Sequence, residues 1–288
     1  MAATATEPPF ASVGIVGLGL IGGSVALALR AAWPSIRIAG VDTAPAGDAA
    51  VARKIVDERR ASARALADLD LILLATPVST IIDSISELGR SGVATVVTDV
   101  GSTKRRVLEA AESSHLRNFV GGHPMAGGER GGLDGARADL FRGKPWFLSP
   151  AATASEEARD RMSRLVQGIG ASLSIVAPDV HDRTVAYLSH LPQLLSLGLM
   201  VNGVEALGEE SLQHAGRGFD DMTRLAASSF GVWESILATN ADYIVEALQA
   251  MTARMTAAIA TDAPRLQDLF ARANRWRERL DERRGTAR

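Results

Sequence analysis

A glycine turn between a short β-branched strand and an apolar helix constrains this chain more than any other feature. Residues Val13–Val16 form the predicted strand, and Gly17, Gly19 and Gly22 follow it in a G-x-G-x-x-G spacing. In such a turn the first glycine permits the tight bend, the second lets the backbone approach a pyrophosphate, and the third lets helix and strand pack closely. The N–H groups at the start of the helix attract the anion. The stretch therefore predicts a dinucleotide-binding βαβ unit.

A second strand strengthens this prediction. Ile36–Val41 is followed by Asp42, about twenty residues after Gly22, where the carboxylate is expected to bind the ribose hydroxyls. Because a carboxylate also repels a 2′-phosphate, the sequence predicts NAD as the cofactor instead of NADP. Leu20 and Ile21, between the second and third glycines, complete the predicted cradle.

The uncharged segment Ala11–Leu29 is also long enough to be considered as a membrane span or as the apolar core of a signal peptide. No Lys or Arg precedes it, and its glycines cluster at a turn spacing, so the nucleotide interpretation is favoured. Since no targeting segment is recognised, the chain is expected to be cytoplasmic and not to bind a membrane.

Composition narrows the function classes. A chain of 288 residues with 47% hydrophobic and 22% charged residues is typical of a globular protein of two domains. The net charge of −2 provides no general attraction to nucleic acid, so no such partner is expected. The chain has no cysteine, which excludes disulfides, thiolate zinc sites and cysteine nucleophiles, and no metal site is predicted.

Alternating strand and helix patterns fill the first part of the chain. Two uninterrupted apolar runs, Asp70–Ala75 and Ala94–Thr98, have the composition of strands that are buried on both faces of a sheet. Further strands are predicted at Phe119–Val120, Trp146–Leu148 and Ser172–Val176. Strands spaced by helices predict βαβ units, and hence an α/β fold with a doubly wound parallel sheet of the Rossmann type.

The pattern changes at Pro178, after which helical periodicity dominates. Helices are predicted near Val180–Glu205, Gly231–Thr261 and Pro264–Arg284, and Pro192 is expected to kink the first of them. The sequence thus predicts a disordered lead-in over residues 1–10, the Rossmann domain over residues 11–177 and an all-helical domain over residues 178–288.

Polar clusters follow three predicted strands, and ligands of doubly wound sheets bind beyond such strand ends. The clusters are Thr76-Pro77, which is assigned to the cofactor, Asp99–Lys104 and Gly121–Glu129. His123 in the third cluster is the side chain best suited to proton transfer near neutral pH. A loop histidine that only caps backbone groups is the alternative, but Ser102 after the neighbouring strand favours catalysis.

In the helical half, the segment Arg217–Arg224 contains two acids and two arginines beside an aromatic residue. Arg224 is suited to bind a substrate carboxylate through two parallel hydrogen bonds. An ion pair between Arg224 and Asp220 or Asp221 is an equal alternative on sequence grounds. The pair His190-Leu191, before Pro192, is a weaker candidate.

These pieces, in this order, resemble the prephenate and arogenate dehydrogenases of tyrosine biosynthesis. The matching motifs are Gly17–Ser24, Asp99–Lys104, Gly122–Gly127, Tyr187–Pro192 and Phe219–Arg224, and the resemblance covers about Ser12 to Asn274. It implies a Rossmann domain followed by a helical domain that forms most of a homodimer interface. The implied reaction is the NAD-dependent oxidative decarboxylation of prephenate to 4-hydroxyphenylpyruvate, and of arogenate to tyrosine.

The resemblance also implies roles for individual residues. His123 would accept the proton of the substrate hydroxyl, and Ser102 would form a hydrogen bond beside it. Arg224 would hold a substrate carboxylate, with His190 and Gln193 lining the pocket. Glu129, six residues after His123, is the candidate acid for attracting the ammonium group of arogenate.

Two other interpretations stay open at this point. One is an oxidoreductase of the hydroxyacid-dehydrogenase or imine-reductase kind, which also joins a Rossmann domain to a helical dimer. The other is a protein that senses NAD without turnover.

Overall fold

The structure is a computed structural model that describes residues 7–128, 130–261, 263–283 and 285. The strands are β1 Ser12–Val16, β2 Arg37–Val41, β3 Glu58–Arg59, β4 Leu71–Leu74, β5 Val96–Asp99, β6 Phe119–Pro124, β7 Pro145–Pro150 and β8 Ser172–Ile175. Within the described residues they form one sheet in the order β3-β2-β1-β4-β5-β6-β7-β8.

Helices cover the sheet and make up the second half of the chain. Their bounds are α1 Leu20–Ala32, α2 Ala44–Ala52, α3 Val78–Arg90, α4 Arg105–Ser113, α5 Glu156–Gly168, α6 Pro178–Val185, α7 Leu191–Leu207, α8 Arg217–Thr223, α9 Phe230–Thr261 and α10 Ala263–Arg283. No strand follows β8 in the part of the chain that is described, so the change from sheet to helices falls near Pro178.

The sheet is mostly parallel, which confirms the predicted doubly wound parallel sheet, and one strand runs in the opposite direction to its neighbour. Strands β1 to β6 run in the same direction, whereas β7 is antiparallel to β6 and β8 is parallel to β7. The described residues between β6 and β7 contain only the short 3₁₀ turn Leu133–Gly135 and no crossover helix. The chain therefore enters β7 at the same end of the sheet at which it leaves β6, and the two neighbouring strands are antiparallel.

Strand β4 shows why its apolar run is uninterrupted. Leu71 and Leu73 belong to the hydrophobic cluster on one face of the sheet, and Ile72 and Leu74 belong to the cluster on the other face. Because successive strand side chains point to opposite faces, a strand covered on both sides needs an apolar residue at every position. This burial fixes the central strands, whose carboxyl ends form the edge where the cavity lies.

The predicted lead-in is too long by at least two residues. Phe10 is fully buried, the guanidinium carbon of Arg161 lies 4.2 Å from the centre of its ring, and Arg161 Nε donates to the Pro9 carbonyl at 2.8 Å. An aromatic side chain buried in this way ties the chain to helix α5, so Pro9 and Phe10 are part of the folded domain. Residues 1–6 lie outside the described residues.

The predicted kink near Pro192 takes the form of a widened helical turn. Residues Ala186–His190 form a turn of π-helix between α6 and α7, and Pro192 sits in the first turn of α7. Proline has no N–H to donate and its ring clashes with the carbonyl group four residues earlier, so the preceding turn opens. A second irregularity is Asn240, whose non-helical backbone (φ −141°, ψ 18°) breaks α9.

Candidate active site

A cavity of about 1100 Å³ lies at the carboxyl ends of the parallel strands and reaches the helical half. Eight of the predicted site residues line it, namely Gly19, Leu20, Ile21, Thr76, Pro77, Ser102, His123 and Arg224. The helices contribute other lining residues as well, among them Trp233 and Ile236. The structure therefore brings the predicted cofactor cradle and the predicted catalytic cluster into one space.

Each glycine of the turn after β1 meets a different requirement. Gly17 has a φ of +93°, in the left-handed region that favours glycine, and a β-carbon at Gly22 would collide with the Gly17 carbonyl oxygen. A β-carbon at Gly19 would meet nothing within 4 Å. The open space thus lies at the second glycine, beside the uncapped start of α1, where the backbone of such a turn approaches a pyrophosphate.

Asp42 lies at the end of β2 and is held in place by two backbone donors. Its carboxylate oxygens accept hydrogen bonds from Leu18 N at 2.7 Å and from Thr43 N at 2.6 Å. Gly17, Gly22 and Asp42 are not among the residues that line the cavity. The glycine turn, the free helix start and the fixed carboxylate fit a dinucleotide with free ribose hydroxyls.

His123 lies within β6, paired with Phe147 of β7, and not in the loop after the strand as the sequence suggests. Its side chain lines the cavity but is only 8% exposed. Burial, followed by the nearby His181, holds the pKa of His123 well below its usual value of 6.5. The imidazole is therefore neutral near pH 7 and able to accept a proton.

The hydrogen-bond partner of His123 is a second histidine. His123 Nδ1 lies 2.9 Å from His181 Nε2, and His181 Nδ1 lies 2.7 Å from Asp182 Oδ1. The expected hydrogen bond from Ser102 to His123 is absent within the described residues, although both side chains line the cavity. The sequence analysis missed His181 and Asp182, for which the only signal was a His-Asp pair in a short helix.

A buried ion pair supports the strand that carries His123. Lys104 Nζ donates to Asp99 Oδ2, both side chains are fully buried, and Asp99 Oδ1 accepts from Gly122 N at 3.0 Å. Burial lowers the pKa of Lys104, and the charge of Asp99 opposes that effect. Since Gly122 precedes His123, the pair fixes the end of β5 against β6 at the cavity.

Arg224 is exposed, lines the cavity and has no carboxylate partner within the described residues. Asp221 lies 3.7 Å from Arg217 instead. The structure therefore does not form the ion pair that the sequence left as an equal alternative, and the guanidinium is available to a ligand.

His190 and Gln193 do not line the cavity, contrary to the expectation from the resemblance. The buried His190 ring packs edge-on against Trp233, which itself lines the cavity, with 5.8 Å between ring centres. Gln193 donates to the Leu225 carbonyl at 2.8 Å and accepts from the Ser228 hydroxyl at 3.2 Å. Gln193 thus supports the segment next to Arg224. Glu129, the other predicted substrate residue, lies outside the described residues.

Comparison with protein families matches both halves of the chain. The family described as prephenate dehydrogenase, nucleotide-binding domain, matches residues 25–175. The family described as prephenate dehydrogenase, dimerization domain, matches residues 177–271.

Individual proteins agree with this. A prephenate dehydrogenase of Bacillus subtilis is 34% identical over 240 residues, which cover 81% of this chain and 65% of that protein, so the chain spans about two thirds of that relative. A cyclohexadienyl dehydrogenase of Zymomonas mobilis is 30% identical over 83% of this chain and 84% of that protein.

Among solved structures, arogenate dehydrogenase of Synechocystis superimposes with a TM-score of 0.82 at 28% identity, covering 93% of this chain and 99% of that chain. Prephenate dehydrogenase of Aquifex aeolicus, in complex with hydroxyphenyl propionate and NAD⁺, superimposes with a TM-score of 0.80 at 27% identity, covering 97% and 96%. Since the two domains of one family follow each other along the chain in the same order, this protein belongs to the prephenate dehydrogenase family.

Proposed function

We propose that this protein is an NAD-dependent dehydrogenase that oxidatively decarboxylates prephenate to 4-hydroxyphenylpyruvate, and that it also converts arogenate to tyrosine. Family membership and the similarity to a cyclohexadienyl, an arogenate and two prephenate dehydrogenases support this. The observation that carries the proposal is His123, a buried neutral base at a cavity that Gly19 of the glycine turn and Arg224 also line, and Arg224 has no carboxylate partner among the described residues.

The proposed reaction divides the work among residues of this chain. NAD, bound at the glycine turn with Asp42 toward its ribose, would supply the hydride acceptor for the ring carbon that bears the hydroxyl group. His123 accepts the hydroxyl proton through Nε2, because Nδ1 is engaged by His181. Once carbon dioxide has left, the same imidazolium can return the proton to the phenolate oxygen. Arg224 pairs with a substrate carboxylate, and Ser102 provides a hydroxyl group at the cavity wall.

Two further parts of the proposal concern specificity and assembly. The assignment of Glu129 to the ammonium group of arogenate stays a prediction from the sequence. We also propose a homodimer formed through the helical half, because that half exposes large apolar side chains, including Leu188, Leu207, Ile259 and Phe270. By length and mean hydropathy (1.3) the helical stretch Pro178–Leu207 would also qualify as a membrane span, but a subunit interface accounts for its apolar surface. The cytoplasmic location likewise stays a prediction.

Replacement of His123 tests the proposed function. His123→Asn should lower kcat with prephenate by about 10²–10⁴-fold, since a general base typically contributes that much, while the Kd for NAD stays close to wild type. The measurement is the absorbance of NADH at 340 nm with prephenate and with arogenate, alongside a cofactor titration. A near-normal kcat in the variant would show that His123 is not the base. Absence of turnover in the wild type, together with intact NAD binding, would favour a sensing protein.

A further inference from the structure

Three side chains form a buried line of hydrogen bonds behind the cavity, and we call them the Asp182–His181–His123 chain. The two hydrogen bonds measure 2.7 Å and 2.9 Å. Asp182 and His181 are fully buried, and His123 meets the cavity at the other end. The three side chains come from different halves of the protein, since His123 belongs to β6 and the other two residues belong to α6.

The direction of the hydrogen bonds follows from which atoms can donate. The Asp182 carboxylate can only accept, so His181 must carry its proton on Nδ1. A neutral His181 then has its lone pair on Nε2, and that atom can only accept from His123. His123 therefore carries its proton on Nδ1 and has its lone pair on Nε2, the atom left for the cavity.

The surroundings of Asp182 and His181 favour a charged carboxylate and a neutral imidazole. Burial alone would raise the pKa of Asp182, but hydrogen bonds from His181 and from the Arg105 and Lys104 N–H groups outweigh it and lower that pKa. Burial lowers the pKa of His181, although the hydrogen bond to Asp182 acts in the opposite direction. Near pH 7 the carboxylate is therefore charged and both imidazoles are neutral.

We propose that His181 and Asp182 are positioning residues, which set the tautomer of His123 so that its Nε2 lone pair faces the substrate hydroxyl. Neither residue lines the cavity, and both act through His123. The proposal rests on the proposed function for the identity of the substrate, but the tautomer is a property of the protein alone.

Asp182 also has a second structural role, which determines which residue should be replaced to test the proposal. Its oxygens accept from Lys104 N at 2.6 Å and from Arg105 N at 3.0 Å, so it fixes the start of α4 as well. Replacing Asp182 would disturb both functions at once. The side chain of His181, by contrast, forms hydrogen bonds only with His123 and Asp182 in the described part of the chain, so it is the residue to change.

Nuclear magnetic resonance of the protein with ¹⁵N-labelled histidine reads the tautomer directly. The chain contains five histidines, and the resonances that disappear in His123→Asn identify those of His123. In the wild type near pH 7.5, His123 should show a protonated Nδ1 and an unprotonated Nε2. In His181→Phe the acceptor is gone, and the His123 proton should move to Nε2, as in free imidazole side chains. His181→Gln offers an amide oxygen as acceptor and should restore part of the wild-type pattern.

Kinetics provide the second readout. His181→Phe should lower kcat by on the order of 10–10²-fold, less than the full loss of a general base, while KM for NAD stays unchanged. His181→Gln should recover part of that loss. His214→Asn, at an exposed histidine, is the matched control and should behave as wild type.

The outcomes separate this proposal from the proposed function. A wild-type His123 with its proton on Nε2 would overturn the tautomer assignment whatever the enzyme turns over. The assignment also fails if His181→Phe keeps both the tautomer and kcat. An Nδ1 proton that moves to Nε2 in His181→Phe supports the assignment even if prephenate is not the substrate. If His181→Phe fails to fold, the wild-type spectrum and His181→Gln still decide the question.

Discussion

Arg224 shows, at the scale of single residues, how the structure selects between two interpretations of one motif. The helix α8 offers two acids within reach in sequence, but Asp221 lies nearer to Arg217, and Arg224 turns to the cavity. A guanidinium that is unpaired before the ligand arrives keeps its donors for a carboxylate. Its contribution should therefore appear in substrate binding and not in stability.

Arg224→Ala should raise KM for prephenate by one to two orders of magnitude, because a charge-assisted contact to a carboxylate contributes about 1.5–3 kcal/mol. KM for NAD and the melting temperature should change little. Arg217→Ala on the same helix removes an exposed arginine that pairs with Asp221, and it is the matched control. Equal effects of the two substitutions on KM would refute the assignment of Arg224.

Asp42 determines the choice of nicotinamide in our proposal. Its oxygens are fixed by the backbone N–H groups of Leu18 and Thr43, and each oxygen retains a lone pair for a ribose hydroxyl. The ratio of kcat/KM for NAD to that for NADP should clearly exceed one in the wild type and should fall in Asp42→Ser. KM for prephenate serves as the internal control. A wild-type preference for NADP would contradict the prediction.

The sequence predicted the residues that belong to contiguous motifs, and it missed those whose role arises from distant contacts. His123 and Arg224 stand in recognisable segments, and the structure places both at the cavity. His181 is 58 residues from His123 in the sequence, and no local pattern indicates that the two side chains are in contact. His190 and Gln193 also stand in a recognisable segment, but whether a side chain points to the cavity or to a neighbouring loop depends on packing that only the folded chain shows.

At the scale of elements, the turn from β1 to α1 offers two glycines for a matched experiment. Gly22→Ala should destabilise the fold by about 1–3 kcal/mol or more, because the new β-carbon collides with the Gly17 carbonyl. Gly19→Ala meets open space at an ordinary φ of −74°, so it should leave the melting temperature unchanged or slightly higher. The same substitution should weaken NAD binding on the order of tenfold, because it fills the space at which the backbone approaches the pyrophosphate.

Calorimetry and a cofactor titration on the two variants provide the measurement. If Gly19→Ala lost as much stability as Gly22→Ala, or bound NAD as tightly as the wild type, the role given to the open space would be wrong.

Elements with strong burial were predictable, and elements without it were not. β4 is apolar at every position, β5 begins with two valines, and every residue of both strands is buried, since both faces of the sheet are covered. β3 consists of two exposed residues and showed no pattern to predict from. Helix α4 was missed although its buried residues Val107, Leu108 and Ala111 lie on one helical face. The reversed direction of β7 was also missed, because an apolar run looks the same in either direction.

At the scale of the whole molecule, buried histidines make stability depend on pH. Burial lowers the pKa of His190 to about 4, against an opposing effect of Asp182, and burial also lowers the pKa values of His123 and His181. Below pH 6.5 the unfolded chain takes up protons that these folded side chains exclude. Their stabilising contribution is therefore complete above that pH, and for His190 it is lost progressively down to about pH 4.

The free energy of unfolding should thus decrease as the pH is lowered below 6.5, with a slope of up to about 1.4 kcal/mol per pH unit for each such histidine. Urea unfolding between pH 7.5 and 4.5 measures the slope. His190→Leu should make it shallower, whereas His214→Asn, at an exposed histidine, should not. Stability that rises on acidification, or an unchanged slope in His190→Leu, would contradict this account.

The split of the Asp182–His181–His123 chain between β6 and α6 has a consequence for descent by recombination. A crossover near residue 177 would pass on the glycine turn, Asp42 and His123 together, while it exchanged His181 and Asp182 for whatever the new partner gene encodes. Unless that gene also encodes a His-Asp pair at the start of its first helix, the hybrid inherits nucleotide binding and a base whose lone pair is on the wrong nitrogen. On the proposed role of His181 and Asp182, turnover would therefore require that the two gene segments be inherited together.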